Sequence, residues 1–291
     1  VPELPDIDVY VDVLESKLST HKLETIRLGN PFLLRSVEPP LDASFGQKLA
    51  DVRRVGKRVA LGFDNDLWLV IHLMIAGRLA WHATPPALAA KNRLASFDFD
   101  CGSLLLTEAG TKKRASLYVA NGKQGLAEHD RGGIDPCACS LADFSEVLQR
   151  ENHTLKRSLT DQRLIGGIGN AYSDEILHAA RLSPVALSQS LDENEIAQLF
   201  AATRDILGTW RERLLAEANG ELPKKVTAFR EEMQVHGKFG EACSVCGHTV
   251  QRIRYKSNET NYCPGCQTNS RILKDRSLSR LLKEDWPRHS R

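Results

Sequence analysis

Near the start of the chain, Ile7, Tyr10, Val11, Leu14 and Leu18 recur at helical spacing, which predicts one amphipathic helix over residues 6–19. The pattern then changes to short apolar runs bounded by turn residues. Thr25–Leu28, Val59–Phe63, Trp68–Ile71, Ser96–Phe99, Leu104–Leu106 and Ser116–Val119 read as strands, broken by Asp64-Asn65-Asp66 and Asn121-Gly122. Strands this short and this frequent suggest an antiparallel sandwich or barrel, not βαβ units. A loop follows at Asp130–Pro136, and from there to about Ala218 the apolar positions return to spacings of three and four. Asp192-Glu193-Asn194 reads as a helix cap, Ser183-Pro184 as a break and Asn219–Pro223 as a second loop.

Composition sets outer limits. The 291 residues are 42% hydrophobic and 26% charged, ordinary globular values that suggest about two domains. The longest uninterrupted apolar run, Leu67–Ile71, is far short of the ~20 residues a membrane helix needs. An acidic Val1–Asp6 opening is not a secretory signal. Seven cysteines without such a signal suit a reducing cytosol better than a disulfide framework. The chain reads as soluble and intracellular. Net charge is only +2, but from Pro223 onward there are 14 Lys and Arg against 7 Asp and Glu. That asymmetry fits a polyanionic partner or a solvated charged C-terminus.

Four of the cysteines carry the sharpest chemical signal. Cys243-x2-Cys246 and Cys263-x2-Cys266 form two knuckles sixteen residues apart, able to complete a tetrahedron around one structural Zn²⁺. His248 could compete as a ligand but is redundant beside four sulfurs, and Cys101, Cys137 and Cys139 read as ordinary thiols. Arg252, Arg254 and Lys256 lie between the knuckles with Tyr255 among them, a basic ribbon that fits phosphate contact or plain solvation. In Leu164–Tyr172, three glycines precede a helix that Asn170 can cap. This is either an anion-binding helix start or a tight helix–helix turn, and its glycine spacing is not the dinucleotide fingerprint.

Taken together, Pro2-Glu3-Leu4-Pro5, Arg53–Lys57, Ile71-His72-Leu73, Gly167–Asn170, Gln234–Lys238 and Cys263–Gln267 resemble the motifs of the formamidopyrimidine-DNA glycosylase/endonuclease VIII family. Leu4 brings the opening closer to the formamidopyrimidine branch. The resemblance covers about residues 2–270. It implies an α+β multidomain chain: an antiparallel β-sandwich over 1–130, a helix–two-turn–helix domain over 131–235, a four-Cys zinc-finger hairpin over 236–272 and a basic tail over 273–291.

The implied activity is base-excision repair of oxidised, purine-type lesions in double-stranded DNA by a cytoplasmic, nucleoid-associated bacterial monomer with AP-lyase activity. Such chemistry needs the damaged nucleotide flipped out of the duplex. Pro2 would be the N-terminal nucleophile, since a free α-amine with pKa ~7.7–8.0 is more often unprotonated at neutral pH than lysine. Glu3 would move protons to and from the sugar, and Lys57 would donate a proton during elimination and hold a phosphate. DNA contacts would come from Lys57, His72, Lys156 and Asn170, and from the finger at Asn258 and Lys256.

Four positions depart from the family pattern. Val1 precedes Pro2, whose nitrogen is an amide unless Val1 is an alternative start residue removed in the cell. Asn258 replaces a finger arginine assigned to phosphate binding and δ-elimination, leaving Lys256 as the nearest cation. Ile75 falls where the family has a wedge methionine, and Thr111–Ser116 has no Arg-Phe wedge segment. The competing expectation is a catalytically inactive or monofunctional paralogue that binds damaged DNA.

Overall fold

The structure, a computed structural model, describes residues 1–224, 226–255 and 258–274. The described chain divides into two compact units. The first comprises Val1–Arg131 and Trp210–Thr227, and the second comprises Gly132–Thr209 and the chain from Ala228 onward.

In the first unit, helix α1 spans Leu4–Leu18 and is opened by a reciprocal cap between Glu3 and Asp6. The Asp6 carboxylate accepts the Glu3 backbone N–H at 2.9 Å. Four of the five positions read as its apolar stripe, Ile7, Tyr10, Leu14 and Leu18, are fully inaccessible, as is Leu4, while Val11 is only half-buried. Eight strands follow: β1 (Leu23–Leu28), β2 (Leu49–Val55), β3 (Arg58–Phe63), β4 (Leu67–His72), β5 (Gly77–His82), β6 (Arg93–Phe99), β7 (Gly102–Glu108) and β8 (Ser116–Asn121). They form two four-stranded antiparallel sheets, ordered β1-β6-β7-β5 and β2-β3-β4-β8. The antiparallel β domain expected from the sequence is present, and each of the six apolar runs became a strand.

Strands β2 and β5 were not foreseen. β2, Leu-Ala-Asp-Val-Arg-Arg-Val, mixes buried apolar positions with exposed charge, and it is fixed by long-range contacts. Arg54 donates to Asp8 of α1 at 2.7 Å.

Burial explains why β3 and β4 read as continuous apolar runs. Their alternate residues Ala60, Trp68 and Val70 pack with Val55, Ala120 and Leu126, the last from helix α2 (Gly122–Ala127). The intervening Val59, Leu61, Leu69 and Ile71 are equally inaccessible. A sheet covered on both faces has no polar alternation to show. Gly62 is the register partner of Trp68, whose indole lies across it. A Cβ there would meet the ring at 2.6 Å, and the Arg53 guanidinium sits 4.8 Å from the ring centroid.

The second unit is helical, with α3 (Leu141–Gln149), α4 (Leu155–Thr160), α5 (Asn170–Ala179) and the first part of α6 (Glu193–Ala218). The Asp192 cap is realised: its carboxylate accepts the Glu195 N–H at 2.8 Å while Glu195 returns a bond to the Asp192 N–H. The C-terminal part of α6 belongs to the first unit, where Arg211 donates to Asp12 of α1 at 2.9 Å. A two-stranded hairpin, β9 (Gln251–Arg254) with β10 (Glu259–Tyr262), and the single turn α7 (Pro264–Gln267) make the finger.

Gly62→Val should cost about 1–3 kcal/mol, because a side chain cannot enter the Trp68 contact without moving the ring. Denaturant unfolding followed by tryptophan fluorescence reads this out, and an unchanged midpoint would refute the packing described.

Candidate functional site

Two groups of side chains stand out, one in each unit. In the first, Pro2 is buried and Glu3, 4% exposed, is the N-cap of α1. Lys57, half-buried, lies in the two-residue turn joining β2 to β3, which Gly56 enters at φ +55° as such turns require. His72 ends β4 opposite Ser116. Burial, reinforced by the positive charges of Arg58, Lys57 and Arg131, pushes the His72 pKa down to about 4. At neutral pH this imidazole is therefore uncharged, and the cations beside it carry the charge of the site.

Arg58 is fixed by donating to the His129 carbonyl at 2.7 Å. Arg78 of β5 donates to the Ile75, Gly77 and Val226 carbonyls. Sequence reasoning missed Arg58, Arg78 and Arg131, since an arginine on a strand or loop carries no local signal of what it faces. Between β4 and β5 the chain turns through Met74 at φ +54°, leaving Ile75 57% exposed. The neighbouring loop is stitched inward: Glu108, 2% exposed, accepts the backbone N–H groups of Arg114 and Ala115, and Lys113 donates to the Glu108 and Gly110 carbonyls.

In the second unit, helix α5 organises the site. Asn170 does not cap the helix as its sequence suggested. It is the first helical residue, after the extended Gly169, and its Nδ2 donates to the Glu259 carbonyl of β10 at 2.9 Å. The Lys156 ammonium, 12% exposed, donates to the Asn170 carbonyl at 2.6 Å and pairs with Asp174 at 2.5 Å. Asp174 also holds His236 Nδ1 at 2.7 Å and the Asn261 backbone N–H at 3.2 Å. Glu175 accepts three consecutive N–H groups, those of Gln234, Val235 and His236. Asp174 and Glu175 were invisible as site residues because all of these partners except Lys156 lie about 60 or more positions away. Asn258 is exposed at the hairpin turn, its carbonyl accepting from the Tyr255 N–H at 2.8 Å. Lys256 lies outside the described residues.

The four finger cysteines converge. Cys246 Sγ lies 3.3 Å from Cys263 Sγ, and Cys243 Sγ lies 3.9 Å from Cys266 Sγ. Four sulfurs at the zinc–thiolate distance of about 2.3 Å sit about 3.8 Å apart, so this cluster fits one tetrahedral ion. His248 Nε2 meets Ser270 Oγ at 3.1 Å, and its side chain also hydrogen-bonds to the Cys246 sulfur.

Three family models match the chain in succession: the formamidopyrimidine-DNA glycosylase N-terminal domain over residues 1–114, its H2TH domain over 133–212, and the zinc finger found in FPG and IleRS over 240–269. Among curated relatives, the formamidopyrimidine-DNA glycosylases of Heliobacterium modesticaldum and Rickettsia africae are each 30% identical. Each alignment covers 92% of this chain, and 100% and 99% of those proteins respectively. The chain belongs to the formamidopyrimidine-DNA glycosylase family.

The fold agrees with solved members of the formamidopyrimidine-DNA glycosylase family. Lactococcus lactis FPG in complex with a FAPY-dG containing DNA superposes with a TM-score of 0.80 at 26% identity, over 91% of this chain and 100% of that one. The same protein in complex with an abasic site containing DNA gives 0.79 at 25% identity, over 91% and 99%. Family and geometry agree on the finger, where the four thiols are the ligand set of one structural Zn²⁺.

Elemental analysis of freshly purified protein should therefore find one zinc per chain, and Cys263→Ser should lose it along with at least tenfold in DNA affinity. Zinc-free wild-type protein, or full affinity in the variant, would contradict this assignment. For His72, an NMR titration of the ring protons should give a midpoint near pH 4. A folded pKa below the unfolded ~6.5 means that its contribution to stability is complete above about pH 6.5 and is lost as pH falls toward 4. A midpoint between 6 and 7 would show that the ring is solvated.

Proposed function

We propose that Pro2, Glu3 and Lys57 carry the glycosylase and AP-lyase chemistry of this base-excision-repair enzyme on damaged double-stranded DNA. The observation that supports the reading is their arrangement in one unit. Glu3 is buried at the cap of α1 beside Pro2, and Lys57 is close enough to act electrostatically on both the chain's amino terminus and His72.

Where Pro2 is the first residue of the mature chain, its nitrogen is a secondary amine. It attacks C1′ of the flipped nucleotide, and the glycosidic bond breaks with its electron pair leaving on the base, which is protonated. The product is an iminium between Pro2 and the opened sugar. Glu3 transfers protons at the sugar. Loss of a C2′ proton then expels the 3′ phosphate by β-elimination, with Lys57 as proton donor and phosphate contact.

The second unit supplies backbone contacts through Lys156, Asn170, Asn258 and Lys256, and His72 joins Lys57 in the first. Lys156 spends two of its three N–H groups on Asn170 and Asp174, which fixes the direction of the third. Ile75, exposed and apolar at the apex of its turn, is the side chain offered to the gap left in the duplex. The substrates are oxidised, purine-type lesions. Asn258 has no charge with which to assist δ-elimination, so strand cleavage ends mainly at the β product. The functional division follows 1–130, 131–235, 236–272 and a basic tail over 273–291. The protein works as a monomer in the cytoplasm, at the nucleoid when bound to DNA. Among the described residues no helix is long and apolar enough to cross a membrane.

Borohydride reduction on an abasic or oxidised-purine duplex should trap a covalent adduct of the protein whose mass-determined first residue is Pro2. Glu3→Gln should slow base release by about 10²–10⁴-fold with little change in shape. A chain retaining Val1 should form no adduct through Pro2. A chain starting at Pro2 that neither traps nor releases bases would instead establish the binding-only paralogue.

A further inference from the structure

The polar residues of α5 facing the finger are spaced four apart: Asn170, Asp174 and His178. Such residues lie one above another on a single helix face. The first donates to the Glu259 carbonyl, and the second holds the Asn261 N–H and His236. The third reaches the metal cluster. His178 is 5% exposed, and its Nε2 lies 3.4 Å from Cys243 Sγ. Its ring nitrogen and the sulfurs of Cys243, Cys263 and Cys266 all lie within 4.8 Å of one another.

A zinc ion with four thiolates carries a net charge of −2. Here two of the thiolates, Cys243 and Cys263, are 3% and 0% exposed, so water cannot solvate that charge from their side. Thiolates in this position need N–H donors from the protein. Four sulfurs also occupy all four corners of the tetrahedron, so a further nitrogen has no vacant corner to fill. A ring nitrogen at 3.4 Å from one sulfur is then placed to donate to that sulfur.

We propose that His178 is an outer member of the zinc site, its Nε2–H donating to the Cys243 thiolate and so joining α5 to the finger. It is a positioning residue: it lowers the charge on one ligand and fixes the orientation of that ligand, and it does not bind the ion. Outer contacts of this kind are worth 10–100-fold in metal affinity.

The test uses the full chain with two substitutions of matched length. His178→Gln places an amide nitrogen where Nε2 was, whereas His178→Met fills the space without a donor. In competition with a chromophoric chelator, the Met variant should bind Zn²⁺ 10–100-fold more weakly than wild type and release it correspondingly faster. The Gln variant should stay within about threefold of wild type, because its donor survives. After Co²⁺ replaces zinc, the sulfur-to-cobalt charge-transfer band should move to lower energy in the Met variant alone, with a four-thiolate spectrum in all three proteins.

Equal zinc affinity in the Met variant and wild type would overturn the proposal. So would equal losses in Gln and Met, which would make His178 a packing residue. A second measurement starts from the wild type. With ¹¹³Cd in the site and ¹⁵N-histidine in the chain, the absence of one-bond nitrogen splitting on a four-thiolate cadmium resonance is expected. Such splitting in the wild type that disappears in the His178→Met protein would make His178, and not His248, a direct ligand and end the outer-donor account.

Discussion

Asp174 is a carboxylate whose side chain has no exposure to solvent, and much of the second unit is arranged around it. A buried charge is costly unless it is paired and hydrogen-bonded. Its partners come from three parts of the chain: the Lys156 ammonium from α4, the His236 ring and the Asn261 backbone of β10. Each partner belongs to a segment that the sequence nominates for DNA contact or metal binding. Removing the carboxylate would strand Lys156 beside the Asn170 carbonyl and leave β10 held to α5 through the Asn170–Glu259 bond without its Asn261 tie. A strong local requirement thus sets the place of α4, the 234–236 segment and the finger within that unit. Glu175, next in sequence, repeats the logic by gathering three backbone N–H groups that would otherwise be buried without acceptors.

The two ends of α5 serve different chemistry through the same helix. Asn170 at its start is tied to the finger hairpin through Glu259, and His178 in its last turn meets Cys243. The finger has a small core: Val235, Cys243, Val250 and Cys263 form a buried cluster with Cys266 at the edge, and Ile253 and Tyr262 of its strands are buried as well. An apolar cluster of that size cannot order thirty residues, so the metal and α5 must contribute the rest. This explains why the polar stripe on α5 faces the finger when apolar packing is the usual choice for a helix face.

How much of this was legible depended on the range of the interaction. The Cys-x2-Cys pairs declare their chemistry by spacing, and they converge as that spacing requires. Strands β3, β4 and β7 were visible because burial on both faces leaves apolar runs, and β6 was visible through the alternating Ser96-Phe97-Asp98-Phe99. β2 and β5 were not, since Asp51, Arg53, Arg54 and Arg78 interrupt them and their pairing partners are supplied by the fold. Asn170 shows the limit most clearly. Its position before a helix reads as a cap, but a carbonyl 89 residues away claims the side chain. His178 gave no signal at all, because nothing local distinguishes a histidine facing a sulfur from one packed in a core.

In the first unit, the electrostatics separate two roles that the sequence ran together. His72 and Lys57 both qualify as DNA contacts by motif, yet only one of them carries charge at neutral pH. Burial is the largest cause of the depressed His72 pKa, and the cations Arg58, Lys57 and Arg131 come after it. A phosphate bound there would act on His72 in both directions, its negative charge favouring the protonated ring and its exclusion of water favouring the neutral one. In the proposed reading, His72 meets the backbone as a ring that is neutral at pH 7 and able to make a directional hydrogen bond. Coulombic attraction, with its dependence on salt, is left to the lysine and arginines around it. A neutral donor among cations would suit the proposed role of this group, which is to hold a phosphate and also let a cleaved strand leave. Releasing a hydrogen bond demands less reorganisation than parting a fully charged pair from a buried surface.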